Sequence, residues 1–454
     1  MKKQIFYLFV LFVFQGSPGK LAFAVTSDQT DTKHIPSSGL IKVKVDSGLG
    51  VGAAEVVISP PQGTYLAGYG NDRKSTGVHD DLYAKAVVIS GQGNTVVLVA
   101  IDCIGLPFPV VQQIREAARQ RIPPGAFDVD HIVVSSTHTH SGPDVIGLWG
   151  ADVMQSGVDE VYIAGLVSNT TEAIVRAWGN LRSAEARYAV ATAGEGWVEN
   201  ISVHDELDTD LTVLQFRDAA GHSIATLTNF ACHPTILDGS NTLVSADFPS
   251  GFYKQMQTQL TGVNLYLQGA IGGWVQPENL PRSFEAAEEK GKELARIAIR
   301  ALEQSQPLQG NTVHFVSKQF EFPISNQQFQ ALAKASVLKR EFNEGTLTEI
   351  AWFSVGDAVF ATHPGETSPL YSMQTKALMR TNGPKFVLGL AQDLLGYILK
   401  PEFFQSGTSL HGAPYLTGRS PHPDAGANMM QVLQALQKEH ISSQRDRVNS
   451  GDQK

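Results

Sequence analysis

From about residue 51 to residue 440 this chain alternates short β-branched runs with stretches whose apolar residues recur every three or four positions. Residues 86–89 and 95–101 are continuous apolar runs on either side of Ser90-Gly91-Gln92-Gly93-Asn94, which predicts two strands joined by a turn. Residues 109–121 follow with Val110, Ile114 and Ala118 at four-residue spacing, the stripe of an amphipathic helix. The same reading predicts strands at 132–135, 224–232, 263–267, 313–322 and 385–390, and a strand pair within 352–362 around Gly356-Asp357. Helices are predicted at 161–181, 251–260, 284–305, 327–338 and 427–438. Alternation on this scale predicts an α/β fold, a single large domain of mixed β-sheets flanked by α-helices.

The ends of the chain read differently. Lys2 and Lys3 precede an apolar run over residues 5–14, and Ala22-Phe23-Ala24 offers small residues for cleavage, so residues 1–24 read as a secretory signal peptide. Ten apolar residues in a helix reach only about 15 Å, roughly half of a bilayer core, which argues against a membrane anchor. Residues 25–48 are rich in Thr, Ser, Asp and Gly and read as a linker, and residues 441–454 as a polar, frayed tail. The expectation is therefore an exported protein, periplasmic or secreted, with no transmembrane segment. Losing residues 1–24 removes three lysines and no acid, so the net charge of −9 becomes −12. No basic stripe interrupts that acidity, which speaks against nucleic acid as a partner. Cys103 and Cys232 both end apolar runs, where two buried free thiols are expected rather than a bridge.

Three strand-like runs end alike. Ile132-Val133-Val134 leads into Ser136-Thr137-His138-Thr139-His140-Ser141-Gly142-Pro143; Leu227-Thr228-Asn229-Phe230 into Ala231-Cys232-His233-Pro234; and Val359-Phe360-Ala361 into Thr362-His363-Pro364-Gly365-Glu366. In α/β sheets ligands bind at strand ends. Imidazole and carboxylate are zinc donors, and a shell with an open position is catalytic. A lone histidine such as His233 or His363 is by itself more often a hydrogen-bonded core residue. Three such ends together favour metal. The HxHxDH pattern of a metallo-β-lactamase-like site fails at Pro143, and an amidohydrolase barrel wants its HxH on the first barrel strand.

Thr137-His138-Thr139-His140-Ser141-Gly142-Pro143 resembles the signature of the neutral/alkaline, non-lysosomal ceramidases. Further blocks follow in order: Gly77-Val78-His79, Asp102, Phe230-Ala231-Cys232-His233, the stretch from Gln268 to Pro277, Pro364-Gly365-Glu366, and Gly389-Leu390-Ala391 to Tyr397. The resemblance implies a zinc shell of His138, His233, Glu366 and Tyr397. It sets His140 toward the substrate as a charge-stabilising group, with His79 nearby. The implied activity is cleavage of the amide of N-acyl sphingoid lipids, ceramide giving a fatty acid and a sphingoid base, by a water that the metal activates. The partner is thus a small, lipid-like substrate with at most passing membrane-surface contact, and the oligomeric state is left open. This sequence departs from the family at three points. Gln276 stands where the family has a proposed catalytic serine, and Asn200-Ile201-Ser202-Val203-His204 lacks the family's arginine. The C-terminal immunoglobulin-like domain is expected to be absent. With the metal donors retained and the serine gone, water is favoured as nucleophile, with Gln276 an orienting amide. A zinc hydrolase of another amide or ester, and a non-catalytic binding protein on the same scaffold, remain alternatives. The turn at Gly269, Gly272 and Gly273 reads as a tight turn before it reads as an oxyanion site.

Overall fold

Two sheets, nine- and four-stranded, hold most of the β-branched runs. The structure is a computed structural model describing residues 48–451 except 194, 195 and 279, with the side chains of 444–451 left out. The expected signal peptide and nearly all of the linker lie outside the described residues. In the larger sheet the neighbours run Val263–Gln268, Ser223–Phe230, Asp210–Arg217, Arg182–Thr192, Leu49–Val57, Tyr83–Ser90, Thr95–Ile101 and Ile132–Ser136. The outermost pair on each side is parallel and the inner ones are antiparallel. A parallel pair needs a crossover, and helices Phe108–Arg121 and Phe248–Gln257 supply the two. The smaller sheet runs Val313–Pro323, Gly345–Val355, Ala358–Thr362, Lys385–Leu388.

Side-chain alternation explains why these runs are apolar throughout. Val88, Val97 and Val99 face helices Phe108–Arg121 and Glu160–Gly179, while Val87, Val96 and Leu98 face the second sheet. Between the sheets, Phe353, Phe360 and Phe386 stack at centroid distances of 4.6 and 4.4 Å. The fold is the expected α/β domain of mixed sheets flanked by helices. Among the described residues no helix is long and apolar enough to cross a membrane. Both cysteines are free and buried.

Several elements depart from the sequence reading. Strand Arg182–Thr192 alternates charged and small residues, and only two of its positions turn inward enough to be buried. Strand Leu49–Val57 contains Gly50 and Gly52. A Cβ on Gly52 would lie 2.2 Å from the Ala177 carbonyl, so the glycine there serves the close approach of helix Glu160–Gly179. The last helix spans Ala425–Gly451, so the stretch read as a frayed tail from residue 441 is helical as far as Gly451.

The site depends on closure of the larger sheet. Its edge strands Val263–Gln268 and Ile132–Ser136 are joined through residues 389–392. Gly389 N donates to Gln268 O (2.9 Å), Ser136 N to Leu390 O (3.1 Å) and Gln392 N to Val134 O (2.8 Å). Leu390 and Gln392 take left-handed backbone angles, φ 50° and 69°, to turn between the two edges. The ends of two strands far apart in sheet order thereby meet.

Candidate metal centre

His138 follows Ile132–Ser136 and His233 follows Ser223–Phe230, so closure of the sheet brings the two together, with ring centroids 5.0 Å apart. Both are oriented by main-chain carbonyls. His138 Nδ1 bonds Ile104 O at 2.5 Å, and His233 Nδ1 bonds Val275 O at 2.8 Å. A donated Nδ1–H leaves each Nε2 with its lone pair, the arrangement that metal-bound imidazoles use. Both Nε2 atoms face one atom, Glu366 Oε2, at 3.4 and 3.1 Å.

Glu366 and Tyr397 are register partners in a short parallel ladder of Glu366–Thr367 and Tyr397–Ile398, which puts their side chains on one face. Gly365 permits that pairing, because a Cβ there would lie 2.5 Å from the Gly396 carbonyl. Burial acts to raise the Glu366 carboxyl, but His138 and His233 outweigh it and hold the group well below the usual carboxylate range. Tyr397, which the Trp274 Nε1–H reaches at 3.2 Å, is pushed well up by burial and then by Glu366. Two imidazole nitrogens, a carboxylate oxygen and a phenol oxygen converge, a set that fits zinc.

His140 lies on the same wall, its centroid 4.8 Å from His138 and 5.8 Å from His233. Both its ring nitrogens are buried without a partner. Burial, followed by the neighbouring imidazoles, lowers its pKa well below the ordinary value, so it is neutral. One ring nitrogen from each of His138, His140 and His233 lies within 4.8 Å of the other two, and this group could hold a metal ion. The sequence reading sets His140 aside for substrate, whereas the geometry leaves it open to either part. Arg73 donates to the His140 carbonyl (2.5 Å) and to Ala67 O, fixing the loop from behind.

Two clefts meet here, sharing Gly68, His140, Tyr397 and Tyr415. One, about 760 Å³, is mostly apolar, with Ile146, Leu148, Trp149, Phe329, Leu338 and Leu395 among its walls. The other, about 700 Å³, is the more polar of the two, with Tyr69, Thr235, Asp238, Gln276 and Arg282.

The structure places the remaining expected residues as follows. Gln276 lines the polar cleft, its amide 3.3 Å from Glu199 Oε1. His79 lines neither cleft. It is 36% exposed, bonds Asp80 at 2.9 Å and stacks on Phe284 at 3.7 Å, so the geometry does not bring it together with His138, His140 and His233. His363, fully buried, bonds Thr367 Oγ1 (2.9 Å) and Thr375 Oγ1 (3.0 Å) and is a core histidine whose pKa burial pushes down to about 3. The glycine turn is a packing turn. Gly269 N and Gly272 N donate to Phe230 O and Thr367 O, and a Cβ on Gly272 would meet the Glu366 carbonyl at 2.5 Å. Tyr69, Arg73 and Trp274 were not foreseen, because nothing local in the sequence separates them from packing residues.

Residues 48–256 match the family described as neutral/alkaline non-lysosomal ceramidase, N-terminal. The chain is 26% identical over 269 residues to neutral ceramidase A of Dictyostelium discoideum, covering 54% of this chain and 36% of that protein. It is 22% identical over 321 residues to the neutral ceramidase of Pseudomonas aeruginosa, covering 65% and 46%. It thus spans about a third to a half of the length of these curated relatives. Among solved structures, the Pseudomonas aeruginosa neutral ceramidase superposes with TM-score 0.71 at 18% identity, over 87% of this chain and 75% of that one. A ceramidase complexed with C2 gives 0.74 at 18%, over 88% and 76%. At that identity the likeness establishes a shared fold.

Proposed function

We propose that this chain, which belongs to the neutral/alkaline non-lysosomal ceramidase family, is an exported zinc-dependent hydrolase of the amide bond in N-acyl sphingoid lipids. The observation that carries the reading is the buried convergence of His138, His233, Glu366 and Tyr397 where an apolar and a polar cleft meet. An amide with an acyl chain on one side and a hydroxylated amine on the other suits that junction.

Zinc bound to these donors would lower the pKa of a water toward neutrality and polarise the scissile carbonyl. The protein supplies the rest. Ile104 O and Val275 O keep the two Nε2 lone pairs directed inward. The apolar walls draw in the acyl chain and exclude bulk water, strengthening each polar contact at the carbonyl. As the water oxygen bonds to carbon and the C–N bond breaks, a proton passes to the leaving nitrogen. His140, neutral and with uncommitted nitrogens, is the group to carry it. Gln276 orients the amine part through its amide.

The test is zinc content of purified protein alongside release of fatty acid from N-acylsphingosine. One zinc per chain and turnover lost on chelation are expected, and a metal-free preparation with full activity would overturn the reading. A second reading, a zinc hydrolase of a smaller amide or ester, rests on Gln276 and Val203 standing where the family has serine and arginine. Zinc-loaded protein inert on ceramide but active on short amides would favour it. Inertness toward every amide and ester would mark a binding protein.

A further inference from the structure

The apolar cleft carries two guanidinium groups that the chemistry above does not use. Arg340, with a side chain 4% exposed, gives both terminal nitrogens to Asp393 at 2.5 and 3.1 Å, and Nη2 also reaches Thr346 Oγ1 and Leu347 O. Its Nε is buried and has no acceptor. Arg419 lies over the Tyr415 ring at 3.8 Å and has no carboxylate at ion-pair distance among the described residues. A buried donor left unmet costs about 1–3 kcal/mol. Around it the wall is largely Leu, Ile, Phe and Trp, and that cost is recovered when a ligand brings an oxygen.

We propose that this cleft takes an acyl group carrying an oxygen acceptor, a hydroxyl or a carboxylate, which Arg340 Nε–H meets, and that Arg419 favours the carboxylate. The proposal rests on the amide-hydrolase reading for its direction, acyl part in the apolar cleft. Calorimetric binding to the zinc-loaded full chain tests it without turnover, using octanamide, ω-hydroxyoctanamide and suberic acid monoamide. The two oxygenated amides should bind about 10- to 100-fold more tightly than octanamide, the range of one hydrogen bond to a charged donor. Arg340→Lys keeps a cation against Asp393 and removes Nε, and should bring that ratio toward one. Arg419→Gln should weaken the carboxylate alone. Octanamide binding as tightly as the others, or a preference that survives Arg340→Lys, overturns the proposal. Failure of the hydrolase reading would show separately, as the same binding order with no amide turned over.

A different observation assigns a positioning part to Gln268. This buried side chain lies between the strand ends that carry the two histidines. Its Nε2 donates to Thr137 O (2.9 Å) and Cys232 O (2.8 Å), and its Oε1 accepts from Cys232 N (3.1 Å) and Gly269 N (3.1 Å). Thr137 and Cys232 immediately precede His138 and His233, so one amide sets the spacing of both donors. Gln268→Glu preserves size but cannot donate to two carbonyls. Its zinc affinity should fall about 10- to 100-fold, as when a group orienting a metal ligand is lost, measured by competition with a chelator on protein shown folded by circular dichroism. A variant less stable to urea but binding zinc as tightly as the parent would reduce Gln268 to a structural residue. Gln268→Met, which restores neither donor, should behave like the glutamate variant.

Discussion

His233 and His363 both end an apolar strand and precede proline, yet their surroundings predict opposite results on truncation. His363→Ala removes the only side-chain nitrogens that meet Thr367 Oγ1 and Thr375 Oγ1 in a fully buried site. Thr367 Oγ1 is orphaned, whereas Thr375 Oγ1 keeps its contact with Met430 Sδ at 3.6 Å, so the loss is about 1–3 kcal/mol before any cavity term. The zinc donors are untouched, so metal content should stay at one per folded chain. His233→Ala loses two side-chain bonds, Nδ1 to Val275 O and Nε2 to Glu366 Oε2 at 3.1 Å. The Val275 carbonyl that receives Nδ1 also receives the His233 backbone N–H at 2.9 Å, and keeps it in the variant. The Nδ1 bond is worth about 1 kcal/mol and the bond to the charged Glu366 about 1.5–3 kcal/mol, while zinc should be lost on dialysis against a mild chelator. The assay is paired: urea midpoints of the apo proteins, and metal content after dialysis. If His363→Ala loses zinc while remaining folded, or His233→Ala retains it, the assignment of donors from side-chain partners is wrong.

Other outcomes follow from the same reasoning. Gln276→Ala should keep zinc and slow amide turnover by about 10²–10³-fold, the usual effect of losing one stabilising donor, and Gln276→Ser should be tolerated or improve ceramide cleavage in the same assay. Glu349→Ala leaves Arg115, which it holds by two 2.8 Å bonds, as a buried unpaired charge, and should cost about 3–5 kcal/mol by urea unfolding. Burial raises the Asp102 carboxyl to about 6 from 3.8, so the native state holds a proton there that the unfolded chain has released. Its stabilising share is full below the unfolded value and is lost as pH rises toward 6, so Asp102→Asn should flatten the apo protein's stability across that window. Burial pushes the Cys103 thiol up to about 12, so native protein should resist iodoacetamide at neutral pH and react only when unfolded.

The sequence was legible wherever one property decided the outcome. Strands Tyr83–Ser90 and Thr95–Ile101 are covered on both faces, so their apolar runs announced them. His138, His233 and Glu366 were legible because a strand end, a polar donor and a Pro or Gly turn coincide in a few residues. Arg182–Thr192 was not, since its exposed face carries charges that break the apolar pattern. For His79 the resemblance of a short block fixes a position in the chain and not the direction of the ring, which here stacks on Phe284. Gln268 was legible only as the start of a resembling block and not in its role, which comes from Thr137, 131 residues away, and from closure of the sheet.

The proposed metal donors and the cleft walls are built from different kinds of structure, and this bears on how the cleft could change while the donors stay in place. His138 and His233 are aimed by main-chain carbonyls of Ile104 and Val275, and Glu366 is held beside Tyr397 by a ladder. Substituting a neighbouring side chain leaves those carbonyls where they are. Position 276 is such a case: it adjoins Val275, so serine or glutamine there changes what enters the polar cleft without moving the atom that orients His233. Val203 is another. It packs with Trp274 and Leu410 against the buried group that includes Tyr397, so its contact there is apolar. Much of the wall that would select the acyl part comes from loops, at Ile146 to Trp149 and Leu338 to Phe342, with Phe329 added from helix Gln327–Lys334. Loops tolerate change more readily than ladders do. A substrate shift with the metal cage intact is therefore the path of least structural cost, and the unmet Arg340 Nε is where such a shift would leave its mark.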